Sequence, residues 1–67
     1  MPVVRVTFYE GRSGDRKREL AEAITEAMVR ICGSKREAVN VIFEDVKRDD
    51  WVIGGAPEFA RTAAQEP

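Results

Sequence analysis

Residues 2–45 read PVVRVTFYEGRSGDRKRELAEAITEAMVRICGSKREAVNVIFED, and their side-chain pattern carries the main secondary-structure signals of the chain. Residues 2–9 are rich in β-branched and aromatic side chains that alternate between two faces, which is typical of a strand. Over residues 15–32 the apolar side chains recur at helical spacing, which predicts a helix with one apolar stripe. In residues 38–45 the side chains again alternate between two faces, which predicts a second strand. A helix between two strands is a β-α-β unit of the α/β class, whose strands run parallel.

Local signals mark both ends of the predicted helix. Ser13 suits the position before the first turn, because its hydroxyl can accept a backbone N–H. Asp15 would then lie in the first turn, where a carboxylate complements the helix dipole. Gly33 suits the left-handed conformation that commonly ends a helix. We therefore expect a well-delimited helix directly after the first strand and its turn.

The end of the chain carries weaker signals. Residues 51–55, Trp-Val-Ile-Gly-Gly, form a short apolar stretch that ends in two glycines and predicts a small C-terminal hairpin. Residues 56–67 contain two prolines and little periodicity, so we expect a tail that packs on a neighbour or frays. We therefore assign residues 1–67 to one domain with a core of residues 2–55.

A chain of 67 residues forms a small domain that buries little apolar surface and needs an additional source of stability. Its one Cys cannot make an internal disulfide, and the absence of His excludes a zinc site of the common Cys/His type. Two strands and one helix also leave both sheet edges and one sheet face uncovered. We therefore expect the subunit to associate with copies of itself.

The charge balance restricts the partners. Eleven Lys and Arg against 12 Asp and Glu give a formal net charge of −1, without the basic footprint of a nucleic-acid-binding protein. The longest basic run, Arg16-Lys17-Arg18, fits either a solvated helix face or a positive field that attracts anionic acids. No apolar run approaches a membrane span, and the N-terminus lacks a signal-peptide pattern. With the lone Cys32, which we interpret as a small buried hydrophobe rather than a reactive thiol, this predicts a soluble, cytoplasmic protein.

Position 2 is the candidate catalytic position. Without His, the sequence has no Ser-His or Cys-His nucleophile and no imidazole base, and it has no Gly-rich phosphate loop. Removal of Met1 before a small residue such as Pro2 would leave a secondary amine at the start of an apolar strand. An amine acts as a general base when it is neutral, and a desolvated site near cations lowers its pKa. A proline that simply opens a strand is the structural alternative.

Three motifs in order resemble the 4-oxalocrotonate tautomerase family of the tautomerase superfamily. They are Met1-Pro2 before the first strand, the turn Glu10-Gly11-Arg12-Ser13, and Ile53-Gly54-Gly55 in the predicted hairpin. The resemblance covers residues 1–55. It implies β-α-β subunits assembled as homohexamers, which are trimers of dimers. It also implies an N-terminal proline base that moves a proton in a small anionic, unsaturated oxo acid without a cofactor or metal.

The family's functional residues map onto four positions of this sequence. Pro2 matches the catalytic proline, and Arg12 matches the arginine that binds the distal carboxylate and draws electron density toward it. Trp51 stands where the family usually has Phe, as an apolar wall that keeps the amine neutral. Asn40 departs from the family's residue pattern, because the best-known isomerases have Arg at this position. An Asn donates hydrogen bonds but makes no charged, bidentate contact.

The resemblance favours an isomerase that acts on a 2-hydroxy-dienoate or on the enol form of a 2-oxo acid, as in the degradation of aromatic compounds. A non-catalytic assembly or binding module with the same fold is the alternative. A hydratase-like or dehalogenase-like relative would need a carboxylate that activates water, and only Asp49 and Asp50 adjoin Trp51. Taken without the resemblance, Arg12 also fits a solvated turn, Asn40 a plain strand position and Trp51 a subunit-interface anchor.

Overall fold

The fold is a β-α-β unit followed by a short hairpin. A computed structural model describes residues 1–57, so the predicted tail lies outside the described residues from residue 58 onward. The predicted order of strand, helix and strand and the parallel pairing are confirmed. The elements are β1 (Val3–Tyr9), α1 (Gly14–Cys32), β2 (Asn40–Val46), β3 (Val52–Ile53) and β4 (Ala56–Pro57), with single 3-10 turns at Arg36–Ala38 and Arg48–Asp50.

The two long strands pair in parallel along their whole length. The register runs from Val3 opposite Asn40 to Tyr9 opposite Val46. Residues opposite each other in register point to the same side of the sheet, so each face of the sheet takes alternate residues from both strands. This pairing gives the sheet two separated ends, one at Val3 and Asn40 and the other at Tyr9 and Val46.

Helix α1 covers one face of this sheet. Lys17 Nζ lies 2.6 Å from Asp45 Oδ2 and 6.0 Å from the centroid of the Phe8 ring. The rings of Phe8 and Phe43 stack on the same face, with centroids 5.7 Å apart. The opposite face, which we call the open face, carries the other alternate residues. These are Val3, Arg5 and Thr7 from β1 and Asn40, Ile42 and Glu44 from β2.

The predicted caps hold α1 at both ends. The Arg16 backbone N–H donates to Ser13 Oγ at 3.2 Å, so the serine occupies the predicted capping position. Gly33 ends the helix with φ of 71°, and its N–H donates to the Val29 carbonyl at 3.1 Å. The helix begins at Gly14, one residue before the predicted start. Because both signals are local, the sequence alone was sufficient to locate them.

All three residues of the basic run in α1 have carboxylate partners. Lys17 pairs with Asp45 across the helix–sheet contact. The other two pairs lie along the helix, Arg16 with Glu19 at 3.3 Å and Arg18 with Asp15. Such exposed pairs each contribute at most a modest stability, but they neutralise the run locally. This favours the solvated-face interpretation over a positive field that attracts substrate.

The second strand begins two residues later than predicted, at Asn40 rather than residue 38. The preceding residues form a 3-10 turn in which the Ala38 N–H donates to the Lys35 carbonyl at 2.9 Å. Arg36 in this turn pairs with Glu22 and lies 3.6 Å from Glu26 on α1. Its hydrogen bond to Glu22 raises the pKa of Arg36. The 3-10 turn occupies Arg36–Ala38, so the strand begins only at Asn40.

The hairpin also extends beyond the predicted segment. Strand β3 pairs antiparallel with β4, which places Ala56 and Pro57 in the hairpin rather than in the tail. Gly54 and Gly55 form the turn with φ of 62° and 87°, values that favour glycine. Within residues 1–57, α1 does not combine the length and apolarity that a membrane crossing requires.

No side chain among residues 1–57 is fully buried in the single subunit. Large apolar side chains remain exposed on the open face, the last turn of the helix and the hairpin: Val3 by 56%, Ile31 by 69% and Val52 by 57%. Cys32 is exposed too, which corrects the expectation of a buried hydrophobe. The reason is its place at the C-terminal end of α1, directly before Gly33, where Ile31 is exposed as well. These apolar side chains therefore become buried only if other subunits cover them.

We expect the purified protein to form a multi-subunit particle at micromolar concentration. Sedimentation velocity or light scattering measures the particle mass. The variant Ile42→Asp places a charge on the open face and should shift the population toward smaller species, because an unpaired carboxylate is costly to bury. Lys47→Gln, in an exposed turn position, serves as the matched control and should not change the mass. A wild-type chain that remains a stable, folded monomer would contradict this expectation.

Candidate functional site

Two of the four predicted site residues lie together at the start of the sheet. The Asn40 N–H donates to the Pro2 carbonyl at 2.9 Å, which continues the ladder between β1 and β2 by one bond. The Asn40 side-chain Nδ2 donates to the Ala38 carbonyl at 3.1 Å. Since an amide nitrogen carries two hydrogens, this bond holds the side chain in place and leaves a second N–H for another acceptor. Pro2 and Asn40 therefore form one half-site, with the proline half-buried and the asparagine exposed.

The other two predicted residues lie at the opposite end of the sheet, around Tyr9. The ring of Trp51 meets the Tyr9 ring edge to face, with centroids 4.4 Å apart and an interplanar angle of 60°. Arg12 Nη1 donates to the Tyr9 carbonyl at 3.3 Å, and Arg12 Cζ lies 4.8 Å from the centroid of the Phe8 ring. This second half-site thus combines an apolar wall with a positioned guanidinium group.

The turn after β1 gives Arg12 its position. Gly11 has φ of 118°, which an L-residue with a side chain rarely adopts, so the chain reverses here at a glycine. Arg12 is exposed and makes no ion pair with any carboxylate of residues 1–57. Its contacts with Phe8 and Tyr9 orient the side chain without neutralising it. An anion can therefore still bind to Arg12 through charge-assisted hydrogen bonds.

The two half-sites do not meet within one subunit. They lie at opposite ends of β1, and at about 3.3 Å per residue the seven steps from Pro2 to Tyr9 span about 23 Å. The described part of the subunit also encloses no pocket. One chain therefore presents a Pro2–Asn40 end and an Arg12–Trp51 end, and a site that contains all four residues needs more than one chain.

Two further residues belong to the aromatic end, and the sequence pattern did not single them out. Tyr9 contacts Trp51, and Arg48 Cζ lies 4.7 Å from the centroid of the Tyr9 ring. In the sequence Arg48 belongs to a polar turn, where a charged residue is ordinary. The one available signal was its spacing of three residues before Trp51, since a 3-10 turn brings such residues together.

The two carboxylates beside the aromatic end lie in the turn that precedes Trp51. Asp49 and Asp50 lie in the 3-10 turn Arg48–Asp50 and are exposed. No cluster of three or more potential metal-ligating side chains occurs within residues 1–57.

Comparisons with known proteins agree on one family. The family model described as tautomerase enzyme matches residues 2–58. A protein named Probable tautomerase in Ralstonia nicotianae is 42% identical over 55 residues, which are 82% of this chain and 85% of the relative.

The crystal structure of TomN, a 4-oxalocrotonate tautomerase homologue of the tomaymycin biosynthetic pathway, is 38% identical with a TM-score of 0.89, over 97% of this chain and 100% of TomN. A heterohexameric 4-oxalocrotonate tautomerase from Chloroflexus aurantiacus is 32% identical with a TM-score of 0.80, over 88% and 95% of the two chains. The likeness thus extends over nearly the whole of each relative, and the chain belongs to the 4-oxalocrotonate tautomerase family of tautomerases.

Proposed function

We propose that this protein is a cofactor-independent tautomerase whose general base is the N-terminal amine of Pro2, formed when Met1 is removed. Its substrate is a 2-hydroxy-dienoate or the enol form of a 2-oxo acid. The observation that carries the proposal is the composition of the two half-sites. One end of the sheet offers Pro2 beside a hydrogen-bonding Asn40, and the other offers a cationic Arg12 beside the apolar Trp51.

Each residue has a defined role in the proton transfer. The neutral amine of Pro2 takes a proton from the substrate and returns it at the conjugated carbon, so the reaction needs no oxidant or reductant. Negative charge builds up on the substrate between the two steps. Arg12 binds a carboxylate and stabilises that charge, because preorganised cationic donors act most strongly where charge develops. Asn40 orients the oxo or carboxylate group at the reacting end.

Trp51 supports the base indirectly. A large aromatic ring next to the bound substrate excludes water, and desolvation disfavours the charged form of an amine. A general base must be unprotonated near the working pH to accept a proton. The half-buried position of Trp51 against Tyr9 gives the ring a rigid support for this role.

The complete site forms between subunits in this proposal. A six-carbon acid is far shorter than the separation of about 23 Å that the strand rise sets between Pro2 and Tyr9. The Pro2–Asn40 end of one subunit must therefore meet the Arg12–Trp51 end of another. We propose a homohexamer. The heterohexameric Chloroflexus aurantiacus relative supports the count of six subunits, and the uncovered apolar surface supports their association.

The variant Asn40→Arg should increase kcat/KM for 2-hydroxymuconate by roughly 2- to 30-fold, since a charge-assisted bond exceeds a neutral one by about 0.5–2 kcal/mol. Phenylenolpyruvate carries its enol and its carboxylate at this same reacting end, so it should gain by a similar factor. Ultraviolet assays of ketonisation measure both rates, and light scattering checks that the added cations leave the assembly intact. Unchanged rates on both substrates in an intact oligomer would show that Asn40 lies outside the site.

The wild-type protein in the same assay tests the proposed function itself. Intact mass first establishes that Met1 has been removed, because the amine exists only in processed protein. Processed protein should then catalyse ketonisation of at least one of the two substrates well above the buffer rate. A processed, assembled protein that accelerates neither reaction would reject the proposal in favour of a non-catalytic assembly module.

A further inference from the structure

The open face of the sheet carries one cation and one anion that form no ion pair within residues 1–57. Arg5 and Glu44 are both exposed there, and no ion pair among the described residues includes either of them. The same face carries the apolar side chains of Val3 and Ile42, which are 56% and 42% exposed. The open face therefore combines two opposite charges with apolar surface that the subunit leaves uncovered.

The strand register places the two charges next to each other on different strands. Arg5 on β1 lies opposite Ile42, in the middle row of the face. Glu44 on β2 lies opposite Thr7, in the following row. With a rise of about 3.3 Å per residue and strands about 4.8 Å apart, the Cα atoms of Arg5 and Glu44 are about 8 Å from each other. The face thus presents a positive and a negative position side by side.

The Glu44 carboxylate is held in place by an uncharged neighbour. The Thr7 hydroxyl donates to Glu44 Oε1 at 3.1 Å. A carboxylate has two oxygens that together accept several hydrogen bonds. The bond to Thr7 therefore orients the carboxylate over the face and leaves it able to accept from a cation.

The charge pattern selects what can cover this face. An apolar partner would bury both charges without opposite charges, which is costly. A partner with charges of a single sign would attract one of the two residues and repel the other. A second copy of this chain carries both signs at the same spacing, so each charge of one copy finds its opposite on the other. The apolar side chains beside the charges gain burial in the same contact.

We propose that the open face is an interface between copies of this chain in which Arg5 of one subunit pairs with Glu44 of another. The inference rests on the self-association within the proposed function and assigns the residues that select the partner. It predicts that assembly depends on opposite charges at these two positions as well as on the apolar surface around them. The pair lies on the open face and takes no part in the proton transfer.

Reversing each charge alone tests whether these positions control assembly. Arg5→Glu leaves two carboxylates on the face and Glu44→Arg leaves two guanidinium groups, so like charges meet across the interface in either variant. We expect the protein concentration at which half of the assembly dissociates to rise at least about 10-fold, as measured by sedimentation velocity. Lys47→Glu reverses a charge in an exposed turn outside the open face and should not change that concentration. Reversed variants that assemble like wild type would overturn the proposal.

Refolding the two reversed variants together tests whether the pair forms between subunits. Glu at position 5 of one chain then meets Arg at position 44 of the other, so mixed assemblies should dissociate at a concentration at least about 3-fold lower than either variant alone. A pair within one subunit gives no such recovery, because each variant chain carries two charges of the same sign on this face. The mixture remains decisive if neither variant folds by itself. A mixture that assembles no better than its components would overturn the proposal.

These measurements need no substrate, so they separate this inference from the catalytic proposal. A processed wild type that assembles and shows the recovery in the mixture, yet accelerates neither ketonisation reaction, would reject the catalytic function alone. An active wild type whose reversed variants assemble normally would reject the role of Arg5 and Glu44 alone.

Discussion

Protein in which the Pro2 nitrogen stays acylated is expected to lose about 10²- to 10⁴-fold in kcat/KM, the usual contribution of a positioned general base. A retained Met1 or a short N-terminal extension makes that nitrogen part of a peptide bond. Its lone pair is then delocalised into the carbonyl, so it cannot accept a proton. Ketonisation assays on processed and extended protein measure the ratio, with intact mass recorded for each sample.

The matched control is an extension that a protease removes directly before Pro2. Cleavage should restore the activity of processed protein, which shows that the loss came from the blocked nitrogen rather than from damage to the assembly. The variant Pro2→Ala is a weaker test, because it leaves a primary amine that can still act as a base. Equal activity of extended and processed protein would exclude Pro2 as the base.

Mixing two inactive variants should restore about a quarter of the wild-type activity if each site takes its two halves from different subunits of a randomly mixed oligomer. One variant carries the blocked Pro2 nitrogen, and the other carries Arg12→Ala. Each homo-oligomer has a defect in every site. In mixed oligomers, some sites combine an intact Pro2 end with an intact Arg12 end, which no single chain provides.

The two variants must be unfolded and refolded together so that their subunits exchange. The same mixture assembled without exchange is the control and should stay inactive. Activity that remains near the level of the separate variants, in mixed oligomers verified by mass, would show that Pro2 and Arg12 do not share a site across subunits. The separation of about 23 Å along β1, set by the strand rise, makes restoration the expected result.

Much of the subunit fold was predictable because its signals are local. Side chains that alternate between two faces identified β1 and β2, and apolar side chains at helical spacing identified α1. Ser13 and Gly33 marked the two ends of the helix. A hydroxyl that accepts a nearby N–H and a glycine with positive φ act within one turn of chain. The start of β2 was misplaced by two residues because a 3-10 turn, in which the Ala38 N–H donates to the Lys35 carbonyl, occupies the residues before it.

The candidate functional groups could be identified without coordinates: a proline that can become an N-terminal amine, an arginine after a glycine turn, an asparagine on a strand and a tryptophan before the hairpin. These follow from residue types and from a family likeness that needs no coordinates. Their relative positions became known only from the folded subunit. Parallel pairing of two seven-residue strands puts Pro2 and Asn40 at one end and Arg12 and Trp51 at the other. It also gathers Arg48 onto Tyr9 through a 3-10 turn. The physical reason is that distances between residues far apart in sequence depend on strand register and turn closure, which no local pattern contains.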